Sequence, residues 1–408
     1  MSPDSGVATG PLLIRGIGEL VTNASDVPGG LGVIEDAAVA VRDGTIVWAG
    51  TEDEVPVALR QSAVFDVEGR AVLPGFVDSH THLVFAGDRA DEFSARLEGS
   101  SYEEILAAGG GIHSTVEATR TASFDDLVTQ SSARAGRMLR MGTTTVEIKS
   151  GYGLTVRDEL RMLEASARVA DDTGIGVVST FLGAHVPDRG MAEADYVDLV
   201  IEQMLPAVAG HAEFCDVFVD RGAFSIDSAR LVFTAARRLG LIPRLHAEQL
   251  THTGAAALAA EVEAASADHL DHVTSEDAGA MAAAGVVAVM LPGAGFSMKA
   301  GQAPARMLWD AGVVVALATD CNPGTSYVEG MPLVIALACL EMNLTPAEAV
   351  WAATRGGARS LQRPDLGIVR SGAAADLVVL DAPSYRHIPY RPGTDLVRTV
   401  VKSGVVLE

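Results

Sequence analysis

Two histidines separated by a single threonine, His80 and His82, end the apolar segment VLPGFVDSHTH. Side chains along a strand alternate between its two faces, so residues two apart point to the same side. Two imidazoles on one side can begin a site for a transition metal such as zinc or iron. An isolated pair of this kind also fits a turn or a surface feature, so other ligands must decide between the two interpretations.

The elements that would position these histidines follow from apolar strands that alternate with helix-patterned segments. We predict eight strands, at residues 70–80, 143–150, 176–184, 213–220, 241–248, 265–273, 285–293 and 312–320. Apolar strands separated by helices indicate an α/β fold with a parallel sheet, and eight such units in about 290 residues predict a (β/α)8 TIM-like barrel. A doubly wound open sheet is the alternative, but no GxGxxG motif follows the first strand.

The two ends of the chain consist of short strand patterns and turns, including the hairpin signal Asp43-Gly44. Neither end could bury a sheet face alone. We therefore predict a small composite β-sandwich domain built from residues 1–69 and 361–408, around a barrel catalytic domain at residues 70–360.

Catalytic residues of such barrels gather where the strands end, on one face. His246 ends the fifth predicted strand, His269 lies in the sixth, and Asp320 ends the eighth. His80, His82, His246 and Asp320 together predict a nitrogen-rich site for Zn²⁺ or Fe²⁺. The fourth strand ends VFVDR, without the carboxylated lysine that binuclear sites in such barrels often use, so we predict one divalent metal.

Composition excludes several classes of function. The formal net charge of −23 argues against nucleic-acid and anionic-membrane partners, which clustered lysines and arginines would bind. The three cysteines form no CxxC motif, which fits a reducing compartment and offers no thiolate metal site. With neither a membrane-length apolar run nor a basic segment before the first apolar stretch, we predict a cytoplasmic protein.

The run LPGFVDSHTH, the HLDH segment, the final ATD and the C-terminal GIVRSGAAADLVVLD resemble the metal-dependent amidohydrolase superfamily. The segments HTHLVFAGDRADEF, AGGGIHSTVEATR, TTTVEIKSGYGL, FLGAHVPD and ALATDCNPGTS narrow the resemblance to the imidazolonepropionase family of histidine degradation. The resemblance covers nearly the whole chain. It implies hydrolysis of 4-imidazolone-5-propanoate to N-formimidoyl-L-glutamate, by attack of a metal-bound hydroxide on the ring carbonyl.

The resemblance also implies roles for individual residues. Asp320 would ligate the metal and pass a proton from water to the leaving nitrogen, and His269 would orient the water or stabilise the developing oxyanion. Arg89 would bind the substrate's propionate, since a guanidinium grips a carboxylate with two parallel hydrogen bonds. The simpler interpretation of Arg89 is a surface arginine paired with Asp91 or Glu92.

Further substrate contacts implied by the resemblance are Tyr152, His185, Gln249, Asn322, Gly324 and Thr325, with Tyr102 as a weaker candidate. A turn tyrosine, a rim histidine and an Asn-Pro-Gly turn are the simpler interpretations. Gln249 stands where many relatives carry glutamate. It can hydrogen-bond the substrate ring but cannot transfer a proton. The predicted catalytic residues are His269, Asp320 and Gln249, and of these His269 and Asp320 would be the proton-handling groups.

Two rival functions remain at this point. A cytosine- or guanine-type deaminase would use the same metal chemistry, but Gln249 and Arg89 argue against it. A non-catalytic scaffold would have lost metal ligands, whereas all four positions are filled here. The expected partner is a small carboxylate-bearing imidazolone, and a homodimer is compatible with the chain only by analogy with other large barrels.

Overall fold

The chain forms two β-sheets, and the computed structural model describes residues 10–25, 27–100, 104 and 109–407. Tyr102 lies outside the described residues. The strands are β1 Leu12–Leu20, β2 Ile34–Arg42, β3 Thr45–Thr51, β4 Ala63–Asp66, β5 Ala71–Pro74, β6 Phe76–Asp78, β7 Thr143–Lys149, β8 Gly176–Ala184, β9 Phe214–Val219, β10 Ile242–Ala247, β11 Ser266–His269, β12 Val287–Met290, β13 Val315–Leu317, β14 Leu377–Leu380, β15 Val397–Lys402 and β16 Val405–Leu407.

The strands from the two ends of the chain pair in one sheet, in the order β16-β15-β14-β5-β1-β2-β3, with β4 beside β1. Alternate residues of β2 belong to two different apolar clusters, so both faces of this sheet are covered. At the β2–β3 turn Asp43 and Gly44 have φ of 50° and 76°, as the hairpin signal predicts. The prediction that the two ends build a separate β unit is confirmed.

The predicted first strand, residues 70–80, is in fact two strands in different sheets. Residues 71–74 form β5, which pairs with β1 and β14, and only β6 enters the barrel. Gly75 separates them where the backbone passes so close to Thr144 that a Cβ would overlap its side chain. The Pro74-Gly75 pair signals a turn at this point, but a turn signal does not show a change of sheet. The domain boundaries at residues 69/70 and 360/361 stay a prediction.

The other sheet is a parallel barrel with its strands in chain order from β6 to β13. An isolated bridge between Thr81 and Cys321 joins the extensions of the first and last strands. Two backbone hydrogen bonds reinforce it, from the His82 amide to the Cys321 carbonyl at 3.0 Å and from the Asp320 amide to the His80 carbonyl at 3.1 Å. The barrel prediction is confirmed, and its closure brings His80 and His82 beside Asp320.

Most of the helices connect the barrel strands, and the last four follow β13 in the chain. They are α1 Ala90–Leu97, α2 Ile112–Thr121, α3 Phe124–Arg140, α4 Val156–Thr173, α5 Glu193–Leu199, α6 Leu205–Val208, α7 Ile226–Arg238, α8 Ala255–Glu261, α9 Ser275–Ala284, α10 Pro292–Met298, α11 Ala305–Asp310, α12 Met331–Glu341, α13 Pro346–Trp351, α14 Gly357–Ser360 and α15 His387–Tyr390. Ser123 and Ser225 cap α3 and α7 by accepting backbone hydrogen bonds. Within the described ranges, no helix combines the length and apolarity that crossing a bilayer requires.

Candidate active site

Five side chains that can bind a metal converge where the barrel strands end. Nitrogen atoms of His80, His82 and His246 lie within 4.8 Å of one another. Potential ligand atoms of His80, His269 and Asp320 form a second group, also within 4.8 Å of one another. The Nε2 atoms of His82 and His246 are 3.2 Å apart, and Oδ1 of Asp320 is 3.5 Å from Nε2 of His80 and 3.6 Å from Nε2 of His82. The fold thus assembles all four predicted ligands, and His269 with them.

Hydrogen bonds behind the imidazoles decide which nitrogen faces the cluster. Nδ1 of His80 lies 2.6 Å from the carboxylate of Asp268, and Nδ1 of His246 lies 3.1 Å from that of Asp216. A carboxylate only accepts, so each Nδ1 carries the proton and each Nε2 directs a lone pair inward. The Nε2 atom of His80 is buried without a hydrogen-bond partner among the described residues. This donor arrangement fits a bound divalent metal.

Burial sets the protonation of these groups. It lowers the pKa of His80, His82 and His269 well below the usual imidazole range, so these rings are neutral, which is the form that binds metal. Burial also raises the pKa of Asp320 well above its usual range, although Asn322 and Thr325 oppose the shift by hydrogen bonding. A cation beside Asp320 would favour its carboxylate form.

The backbone is strained at three of the strand ends that form the site. Glu248, His269 and Asp320 have φ of 55°, 76° and 52°, in the left-handed region that side chains other than glycine rarely adopt. Such conformations cost on the order of 1–3 kcal/mol each and cluster at functional sites. Three such residues thus lie together at the strand ends that carry the candidate metal-binding side chains.

His185 and Tyr152 form an aromatic wall beside His82. The ring of His185 stacks on that of His82 with centroids 5.1 Å apart, and Tyr152 lies 5.7 Å from His82. Burial lowers the pKa of His185 to about 3, and its Nδ1 lies 3.1 Å from the carbonyl oxygen of Gly151, so the neutral ring presents Nε2 as an acceptor. Burial raises the pKa of Tyr152, which therefore keeps its hydroxyl proton.

Arg89 is both paired and close to the site. Its Nε and Nη2 atoms donate to Glu92 at 2.8 and 2.6 Å, as the simpler interpretation anticipates. Its Nη1 atom lies against Gly324, where a Cβ would overlap it. Glu92 also accepts from the Gly111 amide and the Ser114 hydroxyl, so the guanidinium is held in place. The predicted carboxylate contact would use the Nη1 edge.

The turn after β13 is held together by the side chain of Asn322, as the simpler interpretation of an Asn-Pro-Gly turn predicts. Oδ1 of Asn322 accepts from the amides of Gly324 and Thr325 at 2.8 Å each, and the Thr325 hydroxyl lies 3.4 Å from Oδ2 of Asp320. These contacts position Asp320. The predicted substrate contacts of this turn stay predictions.

Gln249 is half-buried in the turn after β10, and its neighbour Glu248 points away from the cluster. The Glu248 carboxylate accepts from the amides of Thr253 and Ala256 at 2.6 and 3.1 Å. Strict strand alternation would place Glu248 on the same side as His246, but its φ of 55° ends the alternation here. The role of Gln249 toward a substrate ring stays a prediction.

Sequence reasoning missed Glu159, which holds the loop that carries Tyr152. Its carboxylate accepts from the amides of Gly151 at 3.0 Å, Gly153 at 2.8 Å and Leu154 at 2.7 Å. Glu159 is fully buried, although it lies in the first turn of α4, where an acidic residue usually faces solvent. Its side chain therefore shapes the wall of the site from behind.

We expect Glu159→Leu to lower the free energy of unfolding by about 3 kcal/mol, because three buried amides lose their acceptor at about 1–3 kcal/mol each, partly offset by loop movement. Urea unfolding followed by circular dichroism measures this. Glu164→Leu on the exposed face of the same helix is the matched control and should stay within about 0.5 kcal/mol of the wild type. Equal stability of the two variants would contradict the role of Glu159.

Sequence reasoning also missed a group of buried charges beneath the histidines, among them Lys149, Asp216 and Asp268. The available signal was the presence of charged residues within otherwise apolar strands, since ionisable groups are almost never fully buried unless paired.

Comparison with known proteins identifies the family. The amidohydrolase family model matches residues 71–407. The chain is 52% identical to an imidazolonepropionase of Salinispora arenicola, covering 97% of this chain and 98% of the relative, and 50% identical to one of Mycolicibacterium smegmatis, covering 97% of each. A solved structure of atrazine chlorohydrolase from Arthrobacter aurescens, complexed with zinc, shares the fold with a TM-score of 0.71, 20% identity and coverage of 97% of this chain and 95% of that one. The chain thus belongs to the amidohydrolase family and, within it, to the imidazolonepropionases.

Proposed function

We propose that the protein hydrolyses 4-imidazolone-5-propanoate to N-formimidoyl-L-glutamate, as the name of its relatives implies. The observation that carries the proposal is the convergence of His80, His82, His246 and Asp320 at the barrel mouth, in a chain about half identical to imidazolonepropionases over nearly its whole length. The substrate is a small molecule. We keep a cytoplasmic location and a homodimeric assembly as predictions.

We propose further that these four residues hold one divalent ion, zinc or iron. When bound, such a metal acts as a Lewis acid that lowers the pKa of water toward about 7. The neutral imidazoles and the inward-facing Nε2 atoms support this assignment.

Asp320 transfers the proton of the proposed reaction, and His269 assists at the reacting atoms. Water adds to the ring carbonyl carbon, the bond between this carbon and the ring nitrogen breaks, and the nitrogen leaves with a proton. Asp320 accepts a proton from the attacking water and returns it to that nitrogen. His269, whose neutral ring lies 5.6 Å from that of His80 between centroids, stabilises the developing oxyanion or orients the water, and Gln249 hydrogen-bonds the ring.

Arg89 and the aromatic wall would fix the substrate's orientation. The Nη1 edge of Arg89 can meet the propionate at the rim, which supplies a local cation in a chain of net charge −23. Tyr152 can donate a hydrogen bond, while the inward nitrogen of His185 can accept one. The propionate would thus bind at Arg89, and the ring would bind beside Tyr152 and His185.

The purified protein is expected to contain about one metal ion per chain and to consume imidazolone propionate. The reason is that all four proposed ligands are present and the imidazoles are in the neutral form that binds metal. Loss of the ring's ultraviolet absorbance measures turnover, and elemental analysis measures the metal. Removing the metal with a chelator should abolish turnover, and adding zinc or iron should restore it.

Two outcomes would contradict the proposal. Turnover that persists after complete removal of metal would exclude the proposed chemistry. A metal-loaded protein that leaves imidazolone propionate intact, but releases ammonia from an aminopyrimidine or aminopurine, would indicate a deaminase instead.

A further inference from the structure

Five charged side chains form a fully buried cluster directly beneath the candidate metal ligands. They are Glu147, Lys149, Asp216, Arg244 and Asp268, and each side chain has 0% relative exposure. Burying so many charges is costly unless they pair with one another. The proposed reaction uses none of these five groups, so their presence at this place needs another explanation.

Lys149 contacts all three acids of the cluster. Its Nζ atom lies 2.8 Å from Asp216, 2.9 Å from Glu147 and 3.6 Å from Asp268. Burial alone lowers the pKa of the ammonium, but Asp216 and Glu147 outweigh burial and raise it, so Lys149 stays charged. One ammonium therefore holds three carboxylates that come from three different strands.

Each of these carboxylates in turn holds a segment that carries metal ligands. Asp216 accepts from Nδ1 of His246 at 3.1 Å, and Asp268 accepts from Nδ1 of His80 at 2.6 Å. Glu147 accepts from the amide of Thr81, which stands between His80 and His82, at 3.2 Å. Three of the four proposed ligands are thus linked to Lys149, and each link passes through one of these three acidic residues.

Arg244 cannot replace Lys149 in this position. Its Nη1 atom donates to the carbonyl of Ser360 at 3.0 Å, and its Nη2 atom donates to that of Ser79 at 2.8 Å. The Nη2 atom also donates to Asp268 at 3.4 Å, so Asp268 is shared between Arg244 and Lys149. The Nε atom of Arg244, however, lies 4.0 Å from Glu147, compared with 2.9 Å for Lys149. Without Lys149, three buried carboxylates would face this one guanidinium, and their mutual repulsion would displace the hydrogen bonds to His80 and His246.

We propose that Lys149 is a positioning residue that sets the metal affinity of the site, by holding the carboxylates that orient His80 and His246 and the segment that carries His82. This inference rests on the proposed metal site. Partners behind metal-binding histidines typically change metal affinity about 10- to 100-fold when they are removed. Loss of Lys149 disturbs two such partners at once.

The test is the zinc affinity of Lys149→Met, measured by competition with a chromophoric chelator after removal of metal from the full chain. We expect binding at least about 10-fold weaker than in the wild type, with faster loss of zinc to excess chelator. Lys299→Met is the matched control, because Lys299 is exposed on the turn after α10, and it should bind zinc as the wild type does.

Each result separates the inference from the proposed function. A wild-type chain that binds neither zinc nor iron would remove the metal site itself, whereas wild-type affinity in folded Lys149→Met would overturn only the inference. If Lys149→Met does not fold, the double variant Lys149→Met/Glu147→Gln takes its place, because it removes one charge of each sign. Zinc binding that is weaker in the folded double variant than in Glu147→Gln alone supports the inference, and equal affinity of these two variants overturns it.

Discussion

Asp320→Asn is expected to lower kcat/KM for imidazolone propionate by roughly three to four orders of magnitude. The substitution removes the proton carrier, a role worth on the order of 10²- to 10⁴-fold, and replaces an anionic ligand with a neutral one. The asparagine is nearly isosteric and keeps the acceptor near the Thr325 hydroxyl, so the fold should survive. Turnover is measured by ultraviolet absorbance, and the metal content of the same sample is determined alongside.

The metal content of Asp320→Asn shows how much of the loss in kcat/KM comes from proton transfer and how much from metal binding. If Asp320→Asn keeps the metal and loses turnover, the residue acts mainly in proton transfer. If the metal is lost as well, added zinc or iron should restore only a small fraction of the activity. Asp310→Asn, at the exposed end of α11, is the matched control and should match the wild type. Wild-type turnover by Asp320→Asn would remove this residue from the catalytic site.

The barrel and the convergence of the candidate metal-binding side chains could be predicted from the sequence because both depend on periodic, local patterns. Strand after strand alternates with helical segments, and the polar residues His80, His246 and Asp320 stand where apolar strands end. Parallel strands of one barrel necessarily end on the same face. The prediction that these residues meet thus needed only the strand order.

Other features could not be predicted because they depend on contacts between distant segments. Pro74-Gly75 is a turn signal within residues 70–80, but a turn does not reveal that the first half joins the terminal sheet while the second enters the barrel. Glu159 and Lys149 have no motif of their own, and their roles come from atoms of other segments packed around them. For Arg89, the sequence supported both an ion pair to Glu92 and a place beside the substrate. The structure shows the ion pair, and the substrate contact stays a prediction.

The second large effect concerns Arg89 and the recognition of the substrate's carboxylate. We expect Arg89→Met to raise KM roughly 30-fold with a smaller change in kcat, because a charged partner of a carboxylate contributes about 2–5 kcal/mol. The Arg89 side chain is 16% exposed and already paired with Glu92, so screening places the effect at the lower end of this range. Initial rates over a range of imidazolone propionate concentrations separate KM from kcat.

A substrate without the propionate makes this prediction specific. Wild type and Arg89→Met should act equally on the unsubstituted imidazolone, because this compound has no carboxylate to accept a hydrogen bond from the guanidinium. Arg140→Met, on the exposed end of α3, changes the net charge equally and should leave KM unchanged. If Arg89→Met discriminates between the two substrates as the wild type does, the carboxylate binds elsewhere. Arg89 would then serve only to hold Glu92, and through it the backbone at Gly111.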